Sequence, residues 1–202
     1  GFVPLRQMWS EVLLQAIPES FRKVISTALA EKVDFVVIAG DVFDNSHPSY
    51  ADFSLFVKGL KQLDEAGIPV YFVTGNHDPY LSWDNSFASL PPNAHLLGQL
   101  SQNLFVINVT TNHLLLLEAG DITHSHGPLM KIFQKVFHVK QPSMTWDYAP
   151  FMIGVIHTGL DIDLTRSPAN PKKLLKRDVD YWACGHVHQP RILPSKEDPR
   201  IV

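Results

Sequence analysis

Four continuous apolar runs, each ending at a glycine or a histidine, constrain this chain more than any other feature. Residues 34–39 (Asp-Phe-Val-Val-Ile-Ala), 70–74, 151–156 and 181–184 are short, rich in β-branched and aromatic side chains, and do not alternate with polar ones. A strand with one wet face alternates, so runs of this kind predict strands covered on both faces, as in parallel sheets. Each run delivers hydrogen-bonding or metal-binding groups at its end: Gly40-Asp41, Gly75-Asn76-His77-Asp78, His157, and Gly185-His186-Val187-His188. Open α/β sheets bind ligands beyond the carboxyl ends of their strands, which is where these groups fall.

The segments between the runs fit that scheme. Phe21, Val24, Ile25, Ala28 and Leu29 follow helical spacing and predict a helix from Glu19 to about Lys32. Residues 1–18, with Pro4 and Pro18 and no sustained period, predict a loop with a short helix at 8–14. Phe53, Phe56, Val57, Leu60 and Leu63 predict a second helix, closed by Gly67 and Pro69. Residues 34–73 therefore read as strand, helix, strand, a unit that closes with its strands parallel and places Asp41 and the Asn76-His77 pair on one rim. Residues 79–93 predict a loop over that rim, and 104–109 and 114–117 short strands around a turn at 110–112. The signal between 120 and 150 is poor. A polar loop with Pro168 and Pro171 leads to a short lysine-rich helix before the last apolar run, and residues 191–193 open a further strand. No repeat, low-complexity tract or interdomain linker is visible.

A chain of 202 residues with 45% hydrophobic content has enough apolar surface for one full core. Its net charge of −3 supplies no global attraction for nucleic acid, so a phosphate-rich substrate needs local positive charge, and metal ions are the natural source. The single cysteine, Cys184, forms no internal disulfide, and no apolar run reaches the ~18 residues of a membrane span. The simplest compartment on both counts is the cytoplasm, and no signal peptide is visible in the residues given.

Asp41, Asn76 with His77, His157, and His186 with His188 form a mixed oxygen and nitrogen set suited to manganese, iron or zinc, whereas magnesium or calcium favours oxygen alone. A carboxylate bridges two cations through its two oxygens, which permits a pair ~3.5–4 Å apart. In a strand, His186 and His188 at i and i+2 point to the same side and serve neighbouring metals. His47, His95, His113, His124, His126 and His138 read as surface loop residues, and Cys184 as a small core residue.

In order and spacing, the series Gly40-Asp41, Gly75-Asn76-His77-Asp78, His157 and Gly185-His186-Val187-His188 resembles the motifs of calcineurin-like metallophosphoesterases. Gly40-Asp41-Val42-Phe43-Asp44 followed by Pro48-Ser49, together with residues 180–190, resembles the SbcD-type DNA repair exonuclease branch of that superfamily. The resemblance implies a four-layer α/β/β/α sandwich with two divalent metals, manganese first and iron or zinc as alternatives. Asp41 would bridge the metals, Asn76, His157 and His186 would complete the second site, and His188 would serve the first. His77 would stay off the metals and face the scissile phosphate as the catalytic residue. The family starts with a strand ending in Asp-x-His, and no such pair precedes Glu19. The expectation is therefore one catalytic domain over residues 1–202, without its first strand, its C-terminal part or a capping domain. With no Asp-x-His, the first metal keeps only Asp41 and His188.

The function expected on these grounds is metal-dependent phosphodiester hydrolysis, as a DNA exonuclease or endonuclease of DNA repair. The rivals are a phosphatase or phosphodiesterase for small phosphoesters and a metal-poor scaffold that binds DNA ends. The partners implied are DNA, an SbcC-type coiled-coil ATPase and a second copy of the chain, with no membrane.

Overall fold

The computed structural model describes residues 5–79, 82–83, 89–97, 104–109, 112–119, 151–165, 168–177 and 179–202. In chain order they form α1 (Leu5–Glu31), β1 (Val36–Ala39), α2 (Tyr50–Glu65), β2 (Val70–Val73), β3 (Ala94–Leu96), β4 (Leu104–Val109) and β5 (Asn112–Ala119). Then come β6 (Phe151–Thr158), α3 (Pro171–Leu174), β7 (Tyr181–His186), β8 (Leu193–Pro194) and β9 (Pro199–Ile201). The fold is α/β, with two sheets: a parallel one in the order β1-β2-β3 and a mixed one in the order β4-β5-β6-β7-β9-β8.

The unbroken apolar character of β1 and β2 has a direct cause. Val70 and Phe72 face the core formed with α1 and α2, where Val36 and Ile38 join them. Their neighbours Tyr71 and Val73 face the second sheet and pack with Ile153 and Val155, joined by Val37, Ala39 and Tyr181. Successive side chains point to opposite faces, and here both faces are covered. On the far side of the second sheet, Ile156 and Trp182 pack with Leu160, Leu174 and Val179. Among the described residues the helical cover on that side is the single turn of α3, against two long helices on the other.

Helix α2 is capped at both ends. The Ser49 hydroxyl accepts from the Asp52 N–H at 3.1 Å, satisfying a first-turn donor. At the other end Ile68 N–H donates to Leu63 O and Gly67 N–H to Asp64 O, both at 2.9 Å, which is the Schellman arrangement. The expected closure at Gly67 is met.

The N-terminal expectation is corrected: α1 runs without a break from Leu5 to Glu31 with Pro18 inside it, not as a loop followed by a helix from Glu19. Proline removes one backbone donor, and the helix continues through that loss. Ile25 and Ala28 are buried against α2 and Phe21 lies 5.7 Å from the Phe56 ring, whereas Val24, expected on the buried face, is exposed. Residues 120–150, where the sequence signal was poor, lie outside the described residues.

Candidate metal centre

The parallel register of β1 and β2 pairs Ala39 with Val73, so the turns that follow the two strands lie side by side. The His77 backbone N–H donates to Asp41 Oδ1 at 3.0 Å. A Cβ on Gly75 would sit 2.1 Å from that same oxygen, so this contact demands glycine. From the second sheet, β6 and β7 run parallel with His157 opposite Gly185. A Cβ on Gly185 would lie 1.9 Å from the Ala39 carbonyl oxygen, and its absence lets the end of β7 close on the end of β1.

Four side chains from the four predicted strand ends meet across this seam. His157 Nε2 lies 3.0 Å from Asn76 Oδ1 and 3.2 Å from Asp41 Oδ2, and His186 Nδ1 lies 2.8 Å from Asn76 Oδ1. The two imidazole rings are 5.1 Å apart and nearly perpendicular. Asp41, His157 and His186 each offer a ligand atom, all within 4.8 Å of one another. Asp41 and His186 both sit at positive φ, 50° and 86°, a conformation that side chains other than glycine adopt at a cost and that recurs at functional sites.

The donor set fits a cation. His157 Nδ1 lies 2.8 Å from the Ala39 carbonyl, which only accepts, so Nδ1 carries the hydrogen and a neutral Nε2 presents a lone pair. That lone pair faces the Asn76 and Asp41 oxygens, and His186 Nδ1 faces the same Asn76 oxygen. Lone pairs converging on one point in a largely buried place repel unless a positive charge lies between them. A proton relieves one such contact; a divalent cation relieves all of them.

The local charges agree. Burial works to raise the Asp41 carboxyl, but the hydrogen bond from His157, made when that ring takes up a second proton in the metal-free protein, and the one from the His77 N–H hold it below the usual carboxylate range. Asp78 is the opposite case. It is fully buried, and burial, with the Asp41 charge adding to it, pushes the carboxyl up to about 6 against the N–H groups of Gly75, Val42 and Phe43. Its two oxygens accept from Gly75 N at 2.8 Å and Val42 N at 2.9 Å, so one carboxylate staples the two turns that carry Asp41 and Asn76.

His77 is exposed at the lip of the centre, with Nδ1 3.0 Å from the Asp44 carbonyl oxygen. His188 is also exposed and lies outside the cluster of three. Strand β7 ends at His186 with a positive φ, so the i, i+2 alternation expected to aim His186 and His188 to one side stops there. Cys184 packs against the core, and burial pushes its thiol up to about 12, as suits an inert side chain. His47 is exposed in a loop, but His95 is corrected: it lies on β3, half-buried, its ring stacked 5.0 Å from Tyr71. His113 falls within β5, not a loop. His124, His126 and His138 lie outside the described residues. Asp78, delivered to this strand end by its motif but given no role there, and Asp163, which carries no signal in the sequence, both touch the site.

The calcineurin-like phosphoesterase family profile matches residues 14–190, a span that holds all four converging side chains. The chain belongs to that family. It is 30% identical over 186 residues to the uncharacterized metallophosphoesterase YhaO of Bacillus subtilis, covering 91% of this chain and 43% of that one. It is 36% identical over 189 residues to the DNA double-strand break repair protein Mre11 of Sulfurisphaera tokodaii, covering 88% of this chain and 44% of that one. The chain thus spans less than half the length of either relative. The solved structure of the NAD nucleotidase NadN of Haemophilus influenzae superposes with a TM-score of 0.51 at 13% identity, over 93% of this chain and 35% of that one, a likeness of fold. Among the described residues no helix is long and apolar enough to cross a membrane.

Proposed function

We propose that this chain is the catalytic domain of a metal-dependent phosphodiesterase acting on DNA in double-strand break repair, with two divalent cations, manganese first, in the cytoplasm. The observation that carries the reading is the convergence of Asp41, Asn76, His157 and His186 with lone pairs facing one point. DNA is favoured as substrate by the similarity to a protein named for double-strand break repair.

Cations held at this rim would supply Lewis acidity, lowering the pKa of a water to near neutrality and neutralising charge on phosphate oxygens. Asp41 would hold both cations, with Asn76, His157 and His186 at the second site and His188 at the first. The backbone carbonyls of Ala39 and Asp44 fix the Nδ1 hydrogens of His157 and His77. For His77 this leaves Nε2 at the lip, where a protonated ring stabilises the charge developing on phosphorus oxygens or gives its proton to the leaving oxygen. An SbcC-type ATPase and a second copy of the chain are the partners this reading implies.

The test compares DNA ends with nitrophenyl phosphodiesters and phosphomonoesters, in manganese, with elemental analysis of the purified protein. Cleavage of DNA by protein holding one or more metals per chain supports the reading. Turnover of the small esters alone makes it a phosphoesterase of another substrate, and less than one metal per chain makes it a scaffold. His77→Ala is expected to abolish turnover while leaving metal content unchanged; full activity in that variant removes His77 from the chemistry.

A further inference from the structure

We propose that Asp163 is a positioning residue for His186, fixing which ring nitrogen carries the hydrogen and how the ring is aimed at the centre. The inference rests on the metal-dependent reading and deepens it. His186 Nε2 lies 3.0 Å from Asp163 Oδ2, while Nδ1 on the other side of the ring faces Asn76 Oδ1. An ionised carboxylate only accepts, so Nε2 donates and Nδ1 keeps its lone pair for the centre. The Ala39 carbonyl does the same for His157 through the opposite nitrogen. Both imidazoles are thus locked from outside, one by backbone and one by a side chain 23 residues away. Such outer partners orient histidine ligands and raise their basicity.

Asp163 is itself held. Its Oδ1 accepts from the Thr165 N–H at 2.9 Å and the Thr165 hydroxyl at 2.6 Å, and its own N–H donates to Gly159 O at 2.9 Å. The carboxylate thus takes three donors, two from Thr165 on Oδ1 and the His186 ring on Oδ2, and turning away from His186 would forfeit them. Two residues earlier, Asp161 pairs with Arg191, so the loop after β6 is tied twice to the segment that carries His186. His186 needs such an anchor. It ends β7 at a φ of 86°, with no further strand to define its side-chain direction.

The test uses Asp163→Ala in the whole chain, with two readouts. In metal-free protein near pH 8, where imidazoles are neutral, long-range nitrogen–proton correlation spectra should show His186 as the Nε2–H form in the parent and as mixed tautomers in the variant. Titration calorimetry with Mn2+ should show affinity about 10- to 100-fold weaker, with the thermal midpoint unchanged. Thr165→Val, which removes the hydroxyl from Oδ1 and leaves the backbone N–H there, should fall between parent and Asp163→Ala, and carries the test if the alanine variant does not fold. Parental affinity with an unchanged tautomer overturns the role of Asp163 and leaves the metal-dependent reading standing. A parent that takes up no Mn2+ overturns both.

Discussion

Gly185→Ala should damage the metal centre without replacing any ligand. The added Cβ would lie 1.9 Å from the Ala39 carbonyl oxygen, and real Cβ atoms essentially never come within 3.0 Å of such a neighbour. The obstacle is backbone, so no side-chain rotation relieves it; the ends of β1 and β7 must part by ~1.1 Å. His157 is paired with Gly185 in the same sheet and moves with it. Its 2.8 Å hydrogen bond to Ala39 O then stretches toward ~3.9 Å, beyond hydrogen-bonding range. Overpacking of this kind costs about 1–3 kcal/mol of stability. Losing the partner that fixes the His157 tautomer should weaken metal binding about 10- to 100-fold. Urea unfolding and Mn2+ titration calorimetry read the two effects separately. A variant within about twofold of parental affinity, and within about 0.5 kcal/mol of parental stability, would refute the claim that this close approach holds the centre together.

Metal-free protein should lose stability as pH rises from about 4 to 6, because burial lifts Asp78 to about 6 from an unfolded value near 3.9, so the folded chain holds a proton that the unfolded chain releases. The contribution is greatest below that window and gone above it, a fall of about 3 kcal/mol at most; Asp78→Asn should flatten the slope in urea unfolding at stepped pH, and an unchanged slope assigns it to another group. Trp83→Ala should cost about 3–5 kcal/mol, since the ring is 2% exposed, stacks 5.3 Å from Phe43 and donates from Nε1 to the Asp78 carbonyl. A loss under about 1 kcal/mol in the same assay would mean that the ring does not support that turn.

Strands β1, β2, β6 and β7 were legible in the chain because each is covered on both faces, which writes an uninterrupted apolar run into the sequence. Asp41, Asn76, His157 and His186 were legible because each follows or ends such a run, where backbone direction alone decides their placement. Helix α1 departs from the expectation at Pro18, because a proline inside a helix removes one donor without having to end it. His95 departs from it because its place against Tyr71 depends on β3 pairing beside β2.

What no reading along the chain reaches is the detail that depends on two sheets meeting. The close approach of β7 to the Ala39 carbonyl that makes Gly185 obligatory, the carbonyl that fixes the His157 tautomer and the Asp163 carboxylate behind His186 all join segments remote in sequence. Periodicity reports which face of an element is dry, because burial selects residue types all along it. A single hydrogen bond between distant loops selects at one position only, and there tertiary packing alone decides.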